Sequence, residues 1–273
     1  MVADMETPFE TPAVPGTRFA EIRWVAETGS TNRDLLELAS EGANEGLVLV
    51  ADHQTAGRGR LDRKWSAPPG SSLLVSALIR PSLDPSDVFL VTVASAVAAA
   101  EACEAVAGVR PGIKWPNDLV IADGGPFEGR KLSGILAESI VGEGRVSAVV
   151  LGMGLNVNWP DDLPEELASI AVSLAQIAQI HVDREELLVA WLGCFDRWLT
   201  RIETDAGRAE LMEVLRSRSA TLGRSVRVEM ADRIVTGVAQ QITGAGHLLV
   251  RSEETGELVE ITVGDVVHAT IQR

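Results

Sequence analysis

The chain has 273 residues, 46% of them hydrophobic, with 39 acidic against 24 basic side chains and a formal net charge of -15. That apolar content fills the core of one large domain, or of a large and a small one. The acidic balance excludes a surface built for DNA or anionic lipid, which needs clustered Lys and Arg, so any phosphate ligand is expected in a local pocket.

The first 17 residues, opening "MVADMETPFETPAVPG", are acidic and Pro-rich and lack the basic flank and apolar centre of a signal peptide. They are expected to form a disordered tail. From Arg18, "RFAEIRWVAETGSTN" alternates as a strand does, and "STNRDLLELAS" carries a hydroxyl cap, Asp34 three positions after Thr31, and helical apolar spacing. Ser30, Thr31 and Asn32 therefore stand where a strand hands over to a helix. "GLVLVADH" reads as a buried strand, and the Gly/Arg stretch "QTAGRGRLDRKW", Gln54 to Trp65, follows as a loop. "SSLLVSALIR" is the next strand and Pro85 to Val106 a long helix. Its apolar run is interrupted by Glu101 and Glu104, which favours a buried helix over a membrane span.

Further strands are expected at Ile113 to Trp115, Leu119 to Ala122, Leu132 to Val141 and Val146 to Gly154, and their short turns imply a mixed or antiparallel sheet. After Pro164 the pattern turns helical, and "REELLVAWLGCFDRWLTRIE" places Leu187, Leu188, Trp191, Cys194, Phe195, Trp198 and Ile202 on one core stripe. From about Leu222 the texture changes to short β-rich pieces, which predicts a small C-terminal barrel of about 50 residues. The two cysteines, Cys103 and Cys194, lie in helix-like segments away from a second thiol, which fits a reducing compartment.

Several chemistries are disfavoured. The chain has neither G-x-x-x-x-G-K-[ST] nor G-x-G-x-x-G between strand and helix, and no G-x-S-x-G elbow. His53, His181, His247 and His268 are too scattered for a zinc site and read as structural or surface residues. What remains is anion chemistry. Glycines let backbone N–H groups approach a ligand and Arg offers a permanently charged fork, so Gly57 to Arg60 suits a carboxylate or phosphate, although such turns are also common on surfaces. Trp65, after Arg63 and Lys64, can stack on a base or plug the core. "GIKWPNDLVI" places Lys114, Asn117 and Asp118 around a turn. "GRKLSGILAE" places Lys131 at the start of an apolar strand, as a solvated end or as a cation aimed at a charged transition state. "VVLGMGLNVNW" ends a strand with Gly152, Gly154, Asn156 and Asn158, where an Asn amide can close a turn or read an adenine edge.

Taken in order, "GSTN", "QTAGRGRLDRKW", "KWPND", "RKLSGILAE" and "GMGLNVN" resemble the motifs of the biotin protein ligases over residues 29 to 158. The resemblance implies an α+β fold: a central mixed sheet packed with helices, like a class II synthetase, plus a C-terminal SH3-like β domain. The expected division is a tail at 1–17, a catalytic domain at 18–220 and the β domain at 221–273. It implies that biotin and MgATP give biotinyl-5′-AMP and pyrophosphate, after which a lysine of a biotin carboxyl carrier domain of acyl-CoA carboxylases attacks the adenylate.

By the same resemblance, Ser30, Thr31, Asn32 and Gln54 bind biotin, with backbone contacts from Gly57 and Gly134. Arg58 and Lys131 face the carboxylate and α-phosphate, and with Arg60 are the expected catalytic residues. Arg60, Arg63, Trp65, Lys114, Asn117, Asp118, Asn156 and Asn158 are assigned to ATP or the adenylate. Mg2+ is expected with ATP, near Asp118, rather than at a direct protein site. The first motif begins near residue 29, leaving no room for a helix-turn-helix domain, so the operon-repressor activity of some relatives is not expected; with the acidic balance and the interrupted apolar run, neither DNA nor membrane is an expected partner, and the expected compartment is the cytoplasm. Leu61 and Asp62 depart from relatives that carry Arg and Gly there. The rivals are a lipoate or octanoate ligase of the same fold and a biotin-sensing regulator without catalysis.

Overall fold

A computed structural model describes residues 9–11, 13–230, 233–262 and 264–268. The chain runs β1 (Phe9–Thr11), β2 (Glu21–Thr28), α1 (Thr31–Ser40), β3 (Leu47–Gln54), β4 (Ser72–Ile79), α2 (Phe89–Ala107), β5 (Gly112–Lys114), β6 (Asp118–Val120), β7 (Lys131–Gly142) and β8 (Arg145–Asn156). It continues through α3 (Glu165–Ala168), α4 (Leu174–Ala178), α5 (Arg184–Arg201) and α6 (Asp205–Ser217) into β9 (Ser225–Glu229), β10 (Ile234–Ile242), β11 (Leu248–Ser252), β12 (Leu258–Ile261) and β13 (Asp265–His268).

Strands β1 to β8 form one sheet in the order β1-β2-β3-β4-β8-β7-β6-β5. The β2–β3 pair is parallel and the other pairs are antiparallel, so the sheet is mixed as its turns imply. A parallel pair needs a crossover, and α1 supplies it. Every residue of β4 is buried, because this central strand is covered on both faces. On one face Leu73, Val75, Ala77 and Ile79 join the main core with α2 and α5; on the other, Leu78 packs with Leu35 and Ala39 of α1. This double covering explains why β4 reads as a continuous apolar run rather than an alternating one.

Helix α2 is apolar around most of its circumference and mostly buried, so it lies inside the protein against α5. Phe195 of α5 stacks between Phe19 and Trp191, with ring centroids 5.9 and 5.3 Å away. Each such aromatic pair adds about 0.5–1.5 kcal/mol beyond the area it buries. Cys103 is fully buried in α2, and burial pushes its thiol up to about 12. At pH 8 a thiolate reagent is therefore expected to leave Cys103 unmodified until denaturant is added, and rapid native labelling of Cys103, read by peptide mass, would contradict this packing.

Two parts of the sequence reading change. Within the expected tail, Phe9–Thr11 pair antiparallel with β2 and Val14 is buried, while residues 1–8 and 12 lie outside the described residues. An edge strand is held by backbone hydrogen bonds whatever its composition, and one apolar anchor suffices to bring the segment onto the core. Helix α6 has no counterpart among the expected elements. Thr204 caps it by accepting from Gly207 N at 3.1 Å, and Leu211, Met212 and Leu215 bury its inner face.

Strands β9 to β13 form a second, antiparallel sheet in the order β12-β11-β10-β9-β13. It is tied to the first domain by Trp115 Nε1 donating to the Gly246 carbonyl at 2.8 Å and Arg216 Nε to that of Ile242 at 2.9 Å. These bonds hold the small sheet beside the turn that carries Lys114, Asn117 and Asp118.

Candidate active site

Ser30 is the N-cap of α1 by backbone conformation, yet its hydroxyl makes no capping bond and the residue lines a cavity of about 1430 Å³. Thr31 is likewise turned away from capping: its N–H donates to Gln54 Oε1 at 2.8 Å and its hydroxyl lies 3.1 Å from the same oxygen. The Ser30 hydroxyl that a helix start would ordinarily consume is thus left to the cavity, while that of Thr31 is held by Gln54 and Ser76. Asn32 Oδ1 accepts from Ser76 Oγ at 2.6 Å, and a Cβ at Gly152 would strike the Asn32 amide, so glycine on β8 makes its room.

The Gly/Arg loop folds back on itself. Trp65 N donates to Gly57 O at 3.0 Å, Gly59 N to Arg63 O at 2.6 Å, and a tight turn at Arg60–Asp62 places Leu61 at φ +55°. A Cβ on Gly57 would lie 2.5 Å from the Trp65 carbonyl, which explains the glycine. The Gly57 carbonyl closes the loop on Trp65 N, while its neighbours Arg58 and Gly59 line the cavity. Arg60 Nη1 donates to Asn117 Oδ1 at 3.2 Å and ties the loop to the Trp115–Pro116 turn, whose peptide bond is cis. Asn117 is itself fixed, its Nδ2 donating to Ile135 O at 2.7 Å.

Trp65 lies over Gly134 and Gly154, which face each other across β7 and β8; a Cβ on either would run into the indole. The two glycines therefore make a flat floor for a ring. Lys131 Nζ is 5.4 Å from the Trp65 ring centroid and 2.8 Å from Asp118 Oδ1. The Lys131 ammonium is thus the close cationic partner of the buried Asp118 Oδ1. Asn156, buried at the end of β8, donates through Nδ2 to Lys131 O and Val172 O at 3.3 and 3.1 Å, leaving Oδ1 without a partner. Its donor is consumed by the fold, and its buried acceptor is left without a protein partner.

Ser30, Thr31, Asn32, Gln54, Arg58, Arg60, Arg63, Trp65, Lys114, Asn117, Asp118, Lys131, Gly134 and Asn156 all line this one cavity. Asn158 does not. Its amide donates to Val182 O at 2.8 Å and accepts from Val182 N at 2.9 Å, so both ends serve the turn before α5 and the adenylate role expected of it is corrected to a structural one.

Sequence reasoning missed Arg130 and Glu128 on the cavity wall, Arg224 from the C-terminal domain, and Glu138 behind it. Arg224 Nη2 reaches Glu128 Oε1 at 2.5 Å. Burial works to raise the Glu128 carboxyl, but hydrogen bonds from Gly124 and Arg224 outweigh it and hold the group below its ordinary value. Glu138 had a legible signal: it shares the β7 face of Gly134 and Leu136 by the period of two.

Eight of the lining residues are cationic, Arg58, Arg60, Arg63, Lys64, Lys114, Arg130, Lys131 and Arg224, against two anionic, Asp118 and Glu128. In a chain of net charge -15 this is a built anion site. Among the described residues no group of three or more His, Cys, Asp or Glu could hold a metal ion.

Residues 24–156 match the biotin/lipoate A/B protein ligase family, and residues 221–269 the biotin protein ligase C-terminal domain. The chain is 37% identical over 259 residues to the biotin–[acetyl-CoA-carboxylase] ligase of Mycobacterium tuberculosis, covering 93% of this chain and 91% of that one. It is 36% identical over 226 residues to the bifunctional ligase/repressor BirA of Bacillus subtilis, covering 82% of this chain and 67% of that protein. The biotin protein ligase of Aquifex aeolicus, solved in complex with biotin and ATP, superposes with a TM-score of 0.75 at 27% identity, over 91% of this chain and 99% of that one. With matched motifs, a shared fold and a second domain of the same kind, this chain belongs to the biotin protein ligase family.

Proposed function

We propose that the protein activates biotin with ATP and transfers it to a lysine of a biotin carboxyl carrier domain of acyl-CoA carboxylases, through biotinyl-5′-AMP. One observation carries this reading: a single cavity joins an uncharged polar pocket at the start of α1 to a wall of eight cations. The relative from Mycobacterium tuberculosis is named for acetyl-CoA carboxylase, and the Aquifex aeolicus enzyme was solved with biotin and ATP, which supports the same reaction here.

In the first step a biotin carboxylate oxygen bonds to the α-phosphorus of ATP and the bond to the pyrophosphate oxygen breaks. Both reactants are anions, and Lys131, Arg58 and Arg60 offset their repulsion. In the second step the neutral amine of the carrier lysine attacks the acyl carbon, and the C–O bond to AMP breaks to leave an amide. Ser30, Thr31 and Gln54 bind the ureido group, beside Asn32 and the backbone of Gly134. Asn156 Oδ1 accepts from the adenine amino group and Trp65 stacks on the base, while Arg63, Lys114 and Asn117 serve the phosphates. Mg2+ would arrive with ATP, and Asp118, a lone carboxylate already beside Lys131, suits only a cation held mainly by phosphate oxygens. The catalytic domain is residues 18–220 extended by the edge strand Phe9–Thr11 and the buried Val14, the C-terminal domain begins at 221, and the two free cysteines fit a cytoplasmic protein.

Because the matched family also holds lipoate ligases, lipoate or octanoate is the second reading of the acyl substrate. ATP–pyrophosphate exchange with Mg2+, without carrier, is expected with biotin and not with lipoate or octanoate. Exchange with lipoate instead would change the substrate, and biotin binding without exchange would favour a regulator.

A further inference from the structure

Glu138 ends the motif "RKLSGILAE" and is assigned no substrate contact above, yet both of its carboxylate oxygens are engaged, each by a different part of the site. Oε1 accepts from Arg58 Nη2 of the Gly/Arg loop at 3.1 Å, and Oε2 accepts from Asn32 Nδ2 in the first turn of α1 at 2.9 Å. The loop and the acyl pocket lie on separate elements, and this one carboxylate bridges them from β7.

The bridge also carries direction. A carboxylate offers only acceptors, so the end of the Asn32 amide that faces Glu138 must be the nitrogen, and Oδ1 must face Ser76. Ser76 then gives its single hydrogen to Asn32 Oδ1 at 2.6 Å, and its oxygen, 2.7 Å from Thr31 Oγ1, is left to accept. Independently of this relay, the Thr31 backbone N–H holds Gln54 Oε1 at 2.8 Å, which leaves the Gln54 amide nitrogen to a ligand. The hydrogen-bond polarity of Asn32, Ser76 and the Thr31 hydroxyl is therefore set from Glu138, outside the pocket.

We propose that Glu138 is a positioning residue that couples closure of the Gly/Arg loop to the hydrogen-bond polarity of the acyl pocket. This rests on the ligase reading. The test uses the full chain and compares Glu138→Ala, Glu138→Gln, Arg58→Ala and the double variant Arg58→Ala/Glu138→Ala. Three quantities are read: KM for biotin against kcat in ATP–pyrophosphate exchange, the rate at which preformed biotinyl-AMP leaves the enzyme, and Tm. Glu138→Ala is expected to raise KM for biotin and the rate of adenylate loss by about tenfold each, with kcat within about twofold. The double variant is expected to lose adenylate no faster than Arg58→Ala alone, because the two residues act through one contact.

Glu138→Gln separates the two halves. Its amide oxygen still accepts from Arg58, but its nitrogen meets the Asn32 nitrogen, so KM is expected to rise while adenylate retention stays near that of the parent. This variant preserves side-chain volume and carries the test if Glu138→Ala fails to fold. Multiplicative effects of Arg58→Ala and Glu138→Ala on adenylate loss would overturn the coupling. A Glu138→Gln enzyme matching its parent in KM would overturn the polarity argument, as would equal falls in kcat and kcat/KM accompanied by a lowered Tm. If the parent chain shows no biotin-dependent exchange, the ligase reading itself is what fails.

Discussion

Lys131→Ala is expected to slow biotin-dependent ATP–pyrophosphate exchange by roughly 10²–10³-fold, the loss typical of removing one preorganised electrostatic group from a transition state. The backbone at this position is pinned independently of the side chain: Lys131 N donates to Ile170 O at 2.8 Å and Val172 N to Lys131 O at 3.0 Å. Truncation should therefore remove the ammonium without moving the strand, and biotin affinity by calorimetry should fall by less than about tenfold, since charge at phosphorus develops only during the reaction. A competing cause is that Asp118, 2.8 Å from the lost Nζ, is left as a buried anion without its cation. Lys131→Ala/Asp118→Asn removes that anion as well. If the double variant regains the lost rate, the stranded carboxylate was responsible and Lys131 has no direct role in adenylation. Equal exchange rates in Lys131→Ala and parent would exclude both.

The sequence made the fold legible where one periodicity applied without competition. Strands β2, β3, β4, β7 and β8 and helices α1, α2 and α5 announce themselves by alternation, continuous apolar runs or a 3.6-residue stripe, and the mixed sheet follows from the turns. Helix α6 was not legible because its apolar face is carried by few residues. The pairing of Phe9–Thr11 was hidden because an edge strand is made by the backbone, which composition does not report. In the site, residue types that suit anion chemistry converge as their motifs imply. What could not be read is how a side chain divides its hydrogen-bonding capacity. Asn156 and Asn158 are two positions apart with the same amide, yet one keeps a buried acceptor without a protein partner at the cavity wall and the other spends both ends on Val182. Likewise Gly57 and Gly154 both relieve a close approach to Trp65, one to its carbonyl and the other to its ring. Such assignments depend on partners brought from a distance, and Glu138, bonded to residues 80 and 106 positions away, is the clearest case.

Arg60→Gly addresses the other half of the reaction, the safe custody of a reactive acyl phosphate. Arg60 links the Gly/Arg loop to Asn117 by a bond of 3.2 Å and lines the cavity, so its guanidinium holds the loop to the wall on which the nucleotide is proposed to lie. A hydrogen bond from a charged donor contributes about 1.5–3 kcal/mol, which corresponds to roughly 10–100-fold in an equilibrium between closed and open loop. Glycine also restores backbone freedom next to Leu61, which already sits at φ +55°, and this further favours opening. The variant is expected to form biotinyl-AMP at a rate within about tenfold of the parent but to release it roughly 10–100-fold faster. In solution the mixed anhydride acylates amines without selection, so lysines of a bystander such as serum albumin should become biotinylated in the presence of ATP, detected by avidin blot. Two controls define the reading: bystander labelling should vanish without ATP, and it should fall as hydroxylamine is added to consume free adenylate. Labelling that stays confined to the carrier lysine would mean that the loop does not retain the intermediate and that Arg60 acts on the nucleotide alone.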